Sequence, residues 1–236
     1  MGSSTLFTTK YPNTNTLMND TREKLSHYDL ILCSGSPRRL DILRQLGLSP
    51  RVIKSTFAED LDKSQFDHPI EYVAATAREK IREVHNRVIS DDQVSSTQNP
   101  KILIAADTVI IGDGRIFEKP MDYENNVSML KSFREIQQNG GNICIVTCGY
   151  IMFCESNLEK PIEREFRSCT EIRFIKDMSD EFIEEYCHSG EGLEVAGGFK
   201  IQGFGSVLFE RIHGDYYNCV GLPASRVWGL LSEYVS

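Results

Sequence analysis

Long apolar runs are missing from this 236-residue chain: none approaches the ~20 residues that a membrane-spanning helix needs. The opening Met-Gly-Ser-Ser-Thr-Leu shows no signal-peptide core, and Leu6 stands where the myristoylation pattern wants Ser or Thr. Paired cysteine motifs are missing too. The seven cysteines (Cys33, Cys144, Cys148, Cys154, Cys169, Cys187 and Cys219) are odd in number and scattered, without a Cys-x-x-Cys. That argues against structural zinc or a disulfide framework, and for small buried thiols in a reducing cytoplasm. Positive charge is scarce: 26 Lys and Arg against 34 Asp and Glu leave a net charge of −8. A broad nucleic-acid surface is therefore not expected, nor a membrane partner, although a local basic cleft can still draw an anion to one place.

What is present is concentrated in a few segments. Leu30-Ile31-Leu32 is an apolar strand pattern, followed by small residues (Ser34, Gly35, Ser36), Pro37, and an amphipathic helix that stops at Gly47. Ser36 suits the N-cap and Pro37 the first helical position. The positive end of a helix dipole favours acidic residues, yet Arg38 and Arg39 stand there. Strand, small-residue turn and helix N-terminus make a phosphate site, and two misplaced arginines predict an anionic ligand, a nucleotide or phosphate ester.

Periodicity predicts further strands over 51–57, 101–111, 143–153, 166–175 and 206–212, and helices over 69–88, 125–138, 179–187 and 224–234. The alternation gives an α/β class with a mixed sheet. Residues 1–26, rich in Thr, Asn and Ser, are expected to be a partly disordered extension, and 27–236 one domain.

Asp107 interrupts an apolar strand, where a buried carboxylate costs several kcal/mol unless it is paired or bound to a metal. A strand-end Asp capping a turn is the alternative. Gly112-Asp113-Gly114 signals a hairpin, and a turn centred on Asp113 would set Lys119 opposite Asp107, as an ion pair or as part of a metal or phosphate site. Lys80 lies on the inward stripe marked by Val73, Ala77 and Val84, either snorkelling or functional. Glu59, Asp60 and Asp62 follow the second strand, where ligand loops sit in α/β proteins, and form either a solvated acidic loop or a magnesium site. In the glycine-rich stretch 190–205, Gln202 carries an amide able to read the edge of a base.

Taken together these motifs resemble the Maf family of nucleoside triphosphate pyrophosphatases. The resemblance covers roughly residues 29–234: Ser34-Gly-Ser-Pro-Arg-Arg39, Glu59 or Asp60, Ala77–Lys80, Ala106–Val109, Lys119-Pro120, Ile201-Gln-Gly203 and the tail Gly214–Pro223. It implies an elongated, ITPase-like α/β fold, a mixed twisted sheet flanked by helices with a central cleft. It also implies hydrolysis of a nucleoside triphosphate to monophosphate and pyrophosphate with Mg²⁺ or Mn²⁺, and a homodimer. Pro-Arg-Arg and Ile-Gln-Gly resemble the branch that acts on dTTP and UTP. On this resemblance Asp107, Lys80 and Lys119 are catalytic. Ser34, Ser36, Arg38, Arg39, Thr108 and Gln202 bind substrate, and Glu59 and Asp107 hold the metal. Two departures stand out: Val195 occupies the position of the family's lysine, and Ile143 that of a histidine. Lys200 and Glu118 also replace glycines of the pattern. A nucleotide-binding regulator without catalysis, and a phosphatase of another phosphometabolite, remain the rival readings.

Overall fold

The computed structural model describes residues 14–90, 99–155 and 160–236. Its centre is a mixed sheet built on two long apolar strands, β3 (Lys101–Gly112) and β5 (Ile143–Cys154). Both run nearly uninterrupted through buried positions, as expected for strands covered on two faces. The strand order is β2-β1-β3-β5-β6-β7, with β1 at Asp29–Leu32, β2 at Arg51–Val52, β6 at Ile162–Phe174 and β7 at Phe209–His213. The pairs β1/β2 and β1/β3 are parallel and the others antiparallel.

Two partners share one edge of β3. Strand β1 pairs with residues 101–104, and the short β4 (Arg115–Phe117) pairs with residues 110–112. Between them no described strand pairs with residues 105–109 on that side, so Asp107 sits in the middle of a split in the sheet.

Strand alternation sends odd and even residues of β3 to opposite faces. On the odd face lies α3 (Pro69–Ser90), packing Ala77, Ile81, Val84 and Val88 on Leu103 and Ala105, and Val73 and Ala74 near Val109. The even face carries two separate apolar clusters. One joins α2 (Pro37–Gln45) and α7 (Ala224–Val235), which follows the short α6 (Tyr216–Val220), to Ile102, Ile104 and Ala106. The other joins α4 (Tyr123–Gln138) and α5 (Asp180–His188) to Ile110 and Ile145. The parting between these clusters falls over Thr108 and its cross-strand partner Thr147.

The structure corrects several expectations. Within the partly disordered extension expected over 1–26, residues 14–25 form helix α1 (Thr14–Leu25), which buries Leu25 and docks on α7; residues 1–13 lie outside the described part. The strand expected over 51–57 ends at Val52 because α3 takes over its hydrogen bonds. The Ser55 hydroxyl, the Thr56 N–H and the Thr56 hydroxyl all donate to the Glu83 carboxylate. Residues 204–208 are a 3₁₀ turn, so the last strand starts at Phe209. The hairpin register is also off by one. Asp113 and Gly114, with φ of 51° and 71°, form a two-residue turn that pairs Gly112 with Arg115 and Ile110 with Phe117. Strand β4 then stops, so Lys119 is not a cross-strand partner of Asp107.

Burial raises the pKa of Glu83, and hydrogen bonds from Arg87, Ser55 and Thr56 outweigh it, holding the carboxyl down at about 2. A depressed folded value contributes stability above the ordinary glutamate range, which is lost as pH falls from about 4.5 toward 2. Glu83→Gln is therefore expected to lower the melting temperature at neutral pH, and the gap to wild type should close on acidification through that window. A gap that stays constant down to pH 2 would contradict the assignment.

Candidate active site

The split in the sheet and the parting of the helices open into one cleft of about 820 Å³, within the range of small-molecule sites. Asp107, on the odd face, reaches Lys80 of α3, whose Nζ donates to its Oδ1 at 2.7 Å. Both side chains are largely buried. Burial of an ammonium on the inward stripe is thus explained by a buried carboxylate waiting in the strand. The same Nζ is 2.7 Å from Glu59 Oε2, so two carboxylates from different segments meet at one cation. Glu59 holds this position with φ at +58°, a left-handed conformation uncommon for a residue with a side chain. Such strain costs about 1–3 kcal/mol and is retained where the surrounding structure enforces it. Among the described residues no cluster of three or more His, Cys, Asp or Glu could hold a metal. Two hard oxygen donors suit a cation such as Mg²⁺ or Mn²⁺ whose remaining ligands come from phosphate and water, and do not make an all-protein cage.

The even face carries the arginine side of the cleft. Ser36 is the N-cap of α2 by backbone geometry, and Pro37 follows it, but the Ser36 hydroxyl makes no cap bond. The first turn of α2 is thus left without a cap from the Ser36 side chain, and Ser36, Pro37, Arg38 and Arg39 all line the cleft. Arg39 is buried and bound on three sides: Nε donates to the Gly221 carbonyl at 2.9 Å, Nη1 to Ser34 Oγ at 2.9 Å and Nη2 to Thr108 Oγ1 at 3.0 Å. Thr108 in turn shares a hydroxyl bond of 3.0 Å with Thr147. Burial lowers the pKa of Arg39, opposed by the Asp107 charge. Three of its five donors serve the protein, leaving two for an anion. Arg38 is half-buried and likewise lowered by burial, and it lines the cleft without a described partner. Arg39→Lys, which loses the fork that spans three acceptors, is expected to cost about 2 kcal/mol of stability in denaturant unfolding. An unchanged midpoint would show that the guanidinium does not brace this wall.

The cleft thus gathers Ser34, Ser36, Arg38, Arg39, Glu59, Lys80, Asp107, Thr108, Lys119 and Gln202 into one lining. Asp60 and Asp62 are not part of it, and the Asp62 carboxylate instead caps a short 3₁₀ turn through Ser64. The glycine-rich stretch forms the far wall. Gly197, with φ at +73°, donates its N–H to the Glu118 carbonyl at 2.9 Å and so joins this wall to the Lys119 segment. Sequence reasoning missed the brace behind Lys119. Tyr72 donates to Glu118 Oε1 at 2.7 Å, and Lys63 is 2.8 Å from Glu118 Oε2. This ties the loop that carries Glu59 to the loop that carries Lys119. Tyr72 looks like a core residue on the helical stripe, and only its buried hydroxyl, which needs a partner, hints at more.

A family model described as Maf-like protein matches residues 29–234. A dTTP/UTP pyrophosphatase of Saccharomyces cerevisiae is 39% identical over 215 residues, 88% of this chain and 91% of that protein. One of Schizosaccharomyces pombe is 34% identical over 234 residues, 94% and 90% of the two chains. A human protein named probable bifunctional dTTP/UTP pyrophosphatase/methyltransferase is 38% identical over 205 residues, 86% of this chain, which spans only 31% of the human one.

Proposed function

The chain belongs to the Maf-like protein family, and from that membership we propose that its cleft hydrolyses pyrimidine nucleoside triphosphates to monophosphate and pyrophosphate. On this reading dTTP, UTP and modified pyrimidine nucleotides are the substrates, and the enzyme is a hydrolase acting on acid anhydrides. The observation that carries the chemistry is the Lys80 ammonium, held at 2.7 Å by both Asp107 and Glu59 on the floor of a cleft whose other side is a helix N-terminus with two arginines.

Asp107 and Glu59 are the residues that would hold Mg²⁺ or Mn²⁺. A divalent cation there would supply charge neutralisation for the triphosphate and lower the barrier to attack at the α-phosphorus. The chain's own residues do the rest. Oδ2 of Asp107, which has no hydrogen bond among the described residues, accepts a proton from the attacking water. Lys80, Lys119 and Arg39 offset charge growing on the leaving pyrophosphate. Ser34, Ser36, Thr108 and the α2 N–H groups orient phosphate oxygens, while Arg38 and Gln202 face the nucleoside. The cytoplasmic location expected from the scattered cysteines is part of this reading, and no described helix is long and apolar enough to cross a membrane. The homodimer expected from the resemblance remains part of this reading.

Turnover of dTTP in ¹⁸O-labelled water tests the site of attack. Label is expected in dTMP, because water attacks the α-phosphorus. Label in pyrophosphate, or in orthophosphate, would overturn it.

A further inference from the structure

Six cations and four carboxylates line the cleft, giving it a surplus of two positive charges in a protein whose net charge is −8. A triphosphate carrying one divalent cation has about the opposite surplus, so the cleft is matched in charge to such a ligand. The cations differ in how far they are committed. Lys80 already serves Asp107 and Glu59, and Arg39 is spread over Ser34, Thr108 and Gly221. Lys200 makes no ion pair or side-chain hydrogen bond among the described residues, although it lines the same cleft.

The backbone around Lys200 is fixed. Phe199 is extended, with φ at −147° and ψ at 151°. Phe199 and Ile201 are both buried in the cluster of α4 and α5, while Lys200 and Gln202 line the cleft. The Lys200 N–H donates to the Tyr186 hydroxyl at 3.1 Å, and its carbonyl accepts from the Gly203 N–H at 3.2 Å. Glu191 clamps the following turn by accepting from Phe204 and Gly205 N–H at 3.0 and 2.9 Å. The same wall meets the Lys119 segment through the Gly197 to Glu118 bond. An ammonium without a described partner on a hydrogen-bonded backbone, in a cleft that Lys119 also lines, is what an anion site needs. Val195, five residues earlier on this wall, is buried and apolar and contributes no charge.

We infer that Lys200 is a substrate-binding residue of this chain, placing its ammonium on the phosphates that leave as pyrophosphate. This rests on the pyrophosphatase reading, which leaves the nucleoside to Arg38 and Gln202.

The test compares wild type, Lys200→Met and Lys200→Arg. KM for dTTP with Mg²⁺ is measured together with the inhibition constants of pyrophosphate and of dTMP. Lys200→Met is expected to raise the dTTP KM and the pyrophosphate constant about tenfold, the effect of one lost charge-assisted contact. The dTMP constant should stay within about twofold, and Lys200→Arg should recover most of the loss. Dependence of all three constants on Lys200 in parallel would mark a general structural effect and overturn the assignment. So would dTTP and pyrophosphate constants within about twofold of wild type. Should wild type turn over no pyrimidine triphosphate, the functional reading falls. Pyrophosphate binding by calorimetry, weakened in Lys200→Met and recovered in Lys200→Arg, would then still uphold the lysine, and equal binding by all three would not.

Discussion

Asp107→Asn is expected to lower kcat for dTTP by about 10²–10⁴-fold while the protein stays folded. The substitution keeps the shape of the side chain and one oxygen for Lys80, and it removes the negative charge and the proton acceptor. Lys80 keeps Glu59 at 2.7 Å, so the ammonium is not stranded and the fold has no reason to fail. KM should change far less than kcat, because Arg38, Lys119 and the α2 N-terminus remain to hold the nucleotide. Turnover within about tenfold of wild type would remove Asp107 from the chemistry and leave it as an ion-pair partner of α3.

Lys80→Met has the second large effect, on stability. It leaves Asp107, 8% exposed, beside apolar residues without its cation. Breaking a buried pair from one side costs about 3–5 kcal/mol, which for a chain of this size lowers the melting temperature by roughly 10 °C. Glu59 is half exposed and adds little to that loss. Combining Lys80→Met with Asp107→Asn removes both charges and should recover much of the stability without recovering activity. A double variant as unstable as the single one would show that Lys80 acts through its packing on α3 and not through the pair.

The sequence announced this site through residues that break local rules. Arginines at a helix N-terminus, an aspartate inside an apolar strand and a lysine on a buried stripe each cost energy alone, and the structure shows two of them satisfying one another across 27 positions of sequence. The partnership itself could not be read from spacing. A turn centred on Asp113 matches Asp107 with Lys119, whereas the turn has two residues and β4 ends at Phe117. A one-residue change in turn length moves every pairing, and nothing in Gly-Asp-Gly fixes that length. The fold was readable where periodicity was long, as in β3, α3 and β5. It failed where side chains replaced backbone partners, as at Ser55 and Thr56 on Glu83, or where a helix such as α1 owes its order to docking on α7. Tyr72 and Glu118 were invisible because their meeting depends on two loops brought together only by the finished sheet.

Purified protein is incubated with each common nucleoside triphosphate in the presence of Mg²⁺ or Mn²⁺, and pyrophosphate and orthophosphate are assayed separately, with Asp107→Asn as the control. Pyrophosphate and monophosphate in equal amounts from dTTP and UTP, absent in the control, is the predicted result. Orthophosphate alone, or nucleotide binding without any product, would contradict it.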